Sequence, residues 1–308
     1  MKKIALLLIV IPLLTSASFS QDPVAEDETW KTGGLLQINL NQLALVNWAA
    51  GGENSVAGIL IGNYFANFSE GNHIWDNKID LNYGTVWTKS NGNRKSDDRF
   101  EVTSKYGYKI AKGWYASSLL NFRTQIFDGY EFYPDGSKQI VSKALAPAFM
   151  AVGVGIEYKP NDIFKVYLSP ATGKFTFVVK DSQIDETKYG LDEGESVRTE
   201  FGAYLNAALK KEIATNVELT SSLQLFNAYQ ANTDVDFQTA INMKINKYLT
   251  ASLLFHLIYD HDTKITIKDD DGNAILIPDP DDPLALIQKT GPRTQFKEAF
   301  GVGFSYKF

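Results

Sequence analysis

The carboxy-terminal residues Val302-Gly303-Phe304-Ser305-Tyr306-Lys307-Phe308 constrain the fold more than any other stretch. Aromatics occupy every second position, Phe304, Tyr306 and Phe308, and small or polar residues alternate with them. A period of two puts successive side chains on opposite faces of a β-strand. One face of this strand is strongly aromatic and the other is polar. A soluble sandwich rarely ends on its most aromatic strand with no polar tail, whereas outer-membrane β-barrels commonly do.

The amino-terminus points the same way. Lys2 and Lys3 precede an apolar run from Ile4 to Leu14, and a small-residue stretch follows from Thr15 to Ser20. With Ser18 and Ser20 at the −3 and −1 positions, cleavage before Gln21 is expected, which makes residues 1–20 a signal peptide rather than a transmembrane helix. The chain contains no cysteine, which excludes a lipoprotein anchor, disulfides and thiolate chemistry. Its formal net charge of −6 becomes more acidic by two once Lys2 and Lys3 are removed, which argues against nucleic acid as a partner.

Beyond the signal, charged or polar residues interrupt every apolar run, yet Tyr, Phe, Asn and Gly abound. A barrel with lipid outside and a polar lumen inside reconciles these properties. The expected fold is therefore all-β: a transmembrane antiparallel barrel of about 12 strands, with 10 or 14 as alternatives, after a cleaved signal peptide. Residues 21–32 read as a flexible periplasmic lead-in and 33–308 as the barrel. The twelve strands are expected near 34–47, 54–69, 74–89, 98–110, 114–128, 143–158, 163–180, 196–211, 215–229, 234–246, 248–262 and 294–308, the seventh interrupted near Pro170 and Gly173.

The connections test this parsing. With the amino-terminus periplasmic, every second turn should be tight. Glu70-Gly71-Asn72, Ala111-Lys112-Gly113, Pro160-Asn161-Asp162, Ile213-Ala214-Thr215 and Asn246-Lys247 all carry turn chemistry. The intervening segments, Ala49–Glu53, Ser90–Asp97, Gly129–Ser142, Asp181–Glu195, Gln230–Thr233 and His261–Arg293, are polar and mostly longer. Aromatics gather at strand ends as interfacial girdles would: Trp75, Tyr108, Trp114, Tyr158, Tyr248 and Tyr306 at the tight-turn end, and Trp48, Trp87, Tyr130, Tyr229 and Tyr259 at the other.

Several motifs add a resemblance. They are Asn47–Ser55 (NWAAGGENS), Arg94–Asp98 (RKSDD), Ser104–Gly107 (SKYG), Ala146–Phe149 (APAF), Tyr158–Asp162 (YKPND), Leu168–Lys174 (LSPATGK) and Gln295–Glu298 (QFKE). With these the chain resembles an uncharacterised family of Bacteroidota outer-membrane β-barrels, a domain of unknown function. The resemblance implies a barrel in the outer membrane of a Gram-negative bacterium and carries no activity or catalytic residues. It also implies that the barrel-assembly machinery reads Phe304, Tyr306 and Phe308 as its signal.

The best functional lead is the inward polar set. Glu101, Lys105, Arg123, Arg198 and Glu200 alternate with outward apolar residues and should face the lumen. An unpaired guanidinium in a confined lumen is costly, so Glu101 and Glu200 should lie near Arg123 and Arg198. The set is either a structural salt-bridge network or the lining of a polar passage or ligand pocket. Asp269 and Asp271 are weak metal candidates within an Asp-rich loop, which lacks the bidentate Glu that completes a calcium loop. No cofactor is expected. Arg94–Asp98 reads as a solvated loop with internally paired charges, or as a contact to lipopolysaccharide phosphate. The expected function is a non-enzymatic barrel, a narrow channel or a binding or structural protein, in contact with outer-membrane lipid and lipopolysaccharide. The alternative is a hydrolase acting on lipid or peptide at the outer rim, with Asp260-His261-Asp262 as its nearest approach to an activating pair.

Overall fold

The computed structural model describes residues 29–45, 53–133, 136–180, 183–229, 233–267, 269, 274–279 and 285–308. Twelve strands close into one barrel: β1 (Trp30–Leu43), β2 (Ser55–Glu70), β3 (His73–Thr88), β4 (Gly92–Ala111), β5 (Trp114–Thr124), β6 (Ala148–Tyr158), β7 (Phe164–Phe177), β8 (Val197–Ala214), β9 (Val217–Ala228), β10 (Thr233–Lys244), β11 (Leu249–Tyr259) and β12 (Gln295–Lys307). Each strand pairs antiparallel with its sequence neighbours, and β12 returns to pair with β1. Closure leaves no edge strand, which membrane-spanning sheets require.

The period of two holds around the wall. Leu36, Ile38 and Leu40 face outward on β1, as do Val152, Val154 and Ile156 on β6 and Phe296, Phe300, Phe304 and Tyr306 on β12. Leu40 is 62% exposed and Tyr306 63%. A continuous apolar belt of this kind is far larger than a soluble monomer tolerates in water, and lipid is the solvent that suits it. Among the described residues no helix is long and apolar enough to cross a membrane, and the outward apolar belt lies on the strands. Aromatic pairs mark the tight-turn end of the belt, with Trp30 5.3 Å from Phe68 and Trp114 4.6 Å from Tyr158, ring centre to ring centre.

At that end the five turns are tight for local reasons. Gly71 and Gly113 hold φ of +57° and +75°, where a side chain is strained. Asn161 Oδ1 accepts the Ile163 and Phe164 N–H groups at 2.9 and 3.1 Å, and Asn246 Oδ1 accepts those of Tyr248 and Leu249 at 2.8 Å. In β7, Ser169 to Thr172 forms a bulge against both neighbours, which accommodates Pro170 within the wall.

Three expectations need correction. β1 begins at Trp30, so Trp30 to Thr32 belong to the barrel and not to the lead-in. Residues 1–28, which hold the expected signal peptide, and Trp48 lie outside the described residues. β4 begins at Gly92, so most of the expected loop Ser90–Asp97 is strand. The reason is a bulge opposite Gly84 and Thr85, which keeps Lys95 and Asp97 in register. Finally, β5 and β6 are shorter than expected because 125–147 builds structure above the wall. A hairpin pairs Gly129–Phe132 with Lys138–Ser142, and Ala146 packs with Val178, Ile184 and Leu191 in a small core roofed by Ile140 and Tyr189. The Tyr189 hydroxyl donates to the Val141 carbonyl at 2.7 Å, and burial pushes its pKa up to about 12.

The closing seam is short. β1 and β12 share five register pairs, from Leu35 with Lys307 to Asn39 with Gly303. At its foot the Gly34 N–H donates to the Phe308 carbonyl at 2.9 Å, and the Phe308 N–H donates back to Gly34 at 3.2 Å.

Candidate functional site

The lumen is crossed by side chains. Arg123 on β5 donates from Nη1 to Asp236 Oδ2 on β10 at 2.6 Å. Four strands separate β5 from β10 on one side of the ring and six on the other. The contact therefore spans the interior and does not run along the wall. Arg99 on β4, diametrically opposite β10, lies 3.8 Å from the same carboxylate. His256 on β11 lies 2.9 Å from its second oxygen through Nε2. A carboxylate accepts only, so that nitrogen carries the ring proton. Glu101 beside them binds Arg99 and accepts from Asn121 Nδ2 at 2.7 Å.

Two further layers flank this one. Toward the long-loop rim, Lys174 on β7 binds Asp234 and lies 3.4 Å from Glu200. Arg198 there lies 3.2 Å from Glu200 and 2.7 Å from Asp262. Toward the tight turns, Lys105 binds the fully buried Glu157, and Lys159 lies 3.0 Å from Asp76. Lys159 sits in the turn after β6; burial disfavours its charge, but the carboxylates of Asp76, Glu157 and Asp162 together outweigh this and raise its pKa. Leu119, Tyr167, Tyr204, Phe226 and Ala228 pack together as a buried interior cluster on the β5–β9 side. On this side buried side chains occupy the interior.

Of the five lumen candidates, Glu101 and Lys105 are buried, and Arg123, Arg198 and Glu200 make the contacts described above. Arg198 meets Glu200 as expected. Arg123 does not take Glu101 as its hydrogen-bonded partner: Asp236 reaches it from across the bore, and Glu101 goes to Arg99 two residues along its own strand. Lys105 is paired with Glu157. Arg99, Glu157, Lys174, Asp234 and Asp236 are absent from the expected set, although each obeys the same alternation; Asp236, for example, precedes lipid-facing Phe237.

Asp271 lies outside the described residues, and Asp269 is the described member of the expected pair. Among the described residues one carboxylate group has a spacing suited to a cation: Asp234, Asp260 and Asp262, with oxygens within 4.8 Å of one another. Lys174 and Arg198 already supply its counter-charge. The His261 ring lies 3.4 Å from the Tyr259 hydroxyl, and the Asp262 carboxylate is held by Arg198. The expected solvated loop at Arg94–Asp98 is instead wall. Its charges do pair internally, Lys95 with Asp98 at 2.9 Å, while Asp97 reaches Lys297 on β12 at 2.9 Å.

A family model described as "Protein of unknown function (DUF3078)" matches residues 40–130. That span runs from β1 through β5 and includes three of the motifs that carry the sequence resemblance. No curated protein matches the chain in sequence. Solved structures similar to it include an outer-membrane channel of Pseudomonas putida F1, at 10% identity and a TM-score of 0.38, covering 95% of this chain and 99% of that one. The translocator domain of the autotransporter NalP from Neisseria meningitidis follows at 9% identity and 0.35, covering 92% and 89%. The Pseudomonas putida toluene transporter TodX gives 11% and 0.35, covering 92% and 80%. Likeness of this degree carries nothing about activity. The closed ring, its lipid-facing belt and its aromatic girdles make the chain a β-barrel of the outer-membrane type.

Proposed function

We propose that this protein is a non-enzymatic outer-membrane barrel with an ion-paired, closed lumen, and that it serves as a binding or structural protein rather than as an open channel. The contact between Arg123 and Asp236 carries this reading, because it joins strands on opposite sides of the bore. Breaking a confined pair leaves a charge without a partner, so the contact is costly to open. The long-loop rim faces the outside and meets lipopolysaccharide, and both termini lie in the periplasm; the alternation of tight turns with long loops supports this orientation. Phe304, Tyr306 and Phe308 are the segment read by the barrel-assembly machinery, supported by their outward, aromatic register on the last strand.

The absence of catalysis is part of the proposal. His256 is engaged by Asp236, and Asp262 beside His261 is engaged by Arg198. Liposome swelling tests the whole reading. Vesicles holding the folded barrel should swell in an isotonic pentose no faster than empty vesicles, and Asp236→Ala should speed them. Rapid swelling with the unaltered protein would overturn the closed lumen. Turnover of a lipid or peptide substrate that His261→Ala abolishes would overturn the non-enzymatic reading.

A further inference from the structure

Two cavities among the described residues of the long-loop rim differ in one respect. The larger, about 840 Å³ between Arg198 and the last long loop, is charged, but Arg198 is already committed to Asp262 and Glu200. The smaller, about 390 Å³, lies where β4 rises above the end of β5 beside the hairpin of residues 129–142. Its size is within the roughly 300–1,000 Å³ of small-ligand sites. Tyr83, Phe127, Tyr130, Phe132 and Tyr189 line it, together with Arg94.

Arg94 is the unexplained group. Its guanidinium lies 4.0 Å from the centre of the Phe132 ring. One nitrogen, Nη2, donates to Asn91 Oδ1 at 2.8 Å. Among the described residues its buried Nε has no acceptor and no carboxylate forms an ion pair with its guanidinium. A buried donor left unsatisfied is costly, and a charged one more so. Neighbouring Lys95 cannot be the functional cation here, because Asp98, Gln125, the Phe127 carbonyl and Ser142 occupy its ammonium. The cavity thus offers one guanidinium without an ion pair among the described residues and several aromatic rings, of which Phe127, Tyr130 and Phe132 are 47%, 37% and 38% exposed. A guanidinium fork matches the oxygens of a phosphate or carboxylate. Flat aromatic faces suit the C–H face of a sugar ring, and the remaining polar lining, Asn93, Gln125, Ser142 and the Asp128 carboxylate, suits its hydroxyls.

We propose that this cavity binds an anionic saccharide: a sugar ring laid against Phe132 and its neighbours, with a phosphate or carboxylate on Arg94. The inference deepens the reading of the barrel as a binding protein and rests on it. The same chemistry is offered by a phosphorylated glycolipid headgroup in the surrounding leaflet and by a free sugar phosphate.

The experiment separates these sources. Protein refolded in detergent free of lipopolysaccharide is titrated with glucose 6-phosphate and with glucose. In parallel, protein in nanodiscs is tested with lipopolysaccharide and with its dephosphorylated form. Arg94→Met and Phe132→Ala are the variants, with heat-modifiable mobility as the folding control. Losing a charge-assisted bond should weaken binding about 10- to 100-fold. Binding of glucose 6-phosphate that falls by this factor in both variants assigns a free ligand. Binding of lipopolysaccharide alone, with the same losses and the same need for its phosphates, assigns the lipid headgroup. Equal binding by folded variants and unaltered protein, or no binding of either anionic probe, overturns the proposal. That failure would leave the swelling result standing, so the site and the closed lumen fail separately.

Discussion

Replacing Asp236 with Ala should destabilise the barrel. Its carboxylate takes Arg123 at 2.6 Å and His256 at 2.9 Å, and has Arg99 at 3.8 Å. Two charge-assisted contacts of about 1.5 kcal/mol each set a scale of about 3 kcal/mol. Removing one member of a fully buried pair costs about 3–5 kcal/mol. The Arg123 side chain is 28% exposed, so water recovers part of that cost. The expected loss is therefore about 2–3 kcal/mol. Arg123→Ala should cost less, about 1 kcal/mol, because Asp236 keeps His256 and Arg99. Chemical denaturation of the barrel refolded in vesicles, run on both single variants and the double, gives a coupling energy expected at about 1–3 kcal/mol. A loss below about 0.5 kcal/mol for Asp236→Ala, or purely additive effects, would refute the cross-lumen contact.

Other consequences follow from the ends of the barrel. Deleting Phe308, or changing Phe304 and Tyr306 to Asp, should abolish outer-membrane insertion; a lipid-facing charge costs only about 2–4 kcal/mol at midplane, so the defect rests mainly on lost recognition, and a normal heat-modifiable barrel would contradict it. Tags at Gly92 or Gly136 should be reachable on intact cells, whereas tags at Gly71 or Gly113 should be hidden and should hinder folding; surface labelling at Gly113 would reverse the orientation. Glu53 accepts from the Ser90 hydroxyl at 2.7 Å and from its N–H at 2.8 Å, and these bonds lower its pKa. The tie is thus intact above the ordinary carboxylate value and lost as pH falls through the depressed one; amide-exchange protection at Ser90 should fall with acid, and Glu53→Gln should remove that response.

The wall was legible in the sequence because a barrel strand must alternate, and alternation needs no knowledge of distant partners. Phe304, Tyr306, Val152 and Arg123 could each be assigned a face from their immediate neighbours. Strand ends were less legible where loops carry their own structure. Lys95 and Asp97 look like loop residues until the bulge opposite Gly84 is known, and Ala146 looks like strand until Val178 and Leu191 pack on it. Pairing inside the lumen was legible only along a strand. Arg198 with Glu200 are two residues apart and share a face. Arg123 with Asp236 are 113 residues apart, and their contact depends on strand number, shear and bore, none of which alternation encodes. Arg94 shows the same limit, since its stacking on Phe132 depends on a hairpin that rises above the wall.

Single-channel recording in planar bilayers tests the central claim most directly. The unaltered protein should insert and remain electrically silent, and Asp236→Ala should show resolvable open events because the bridge across the bore is gone. A stable open level in the unaltered protein, with ion selectivity that shifts on Arg123→Ala, would contradict the closed lumen and make the same charged residues the lining of a pore.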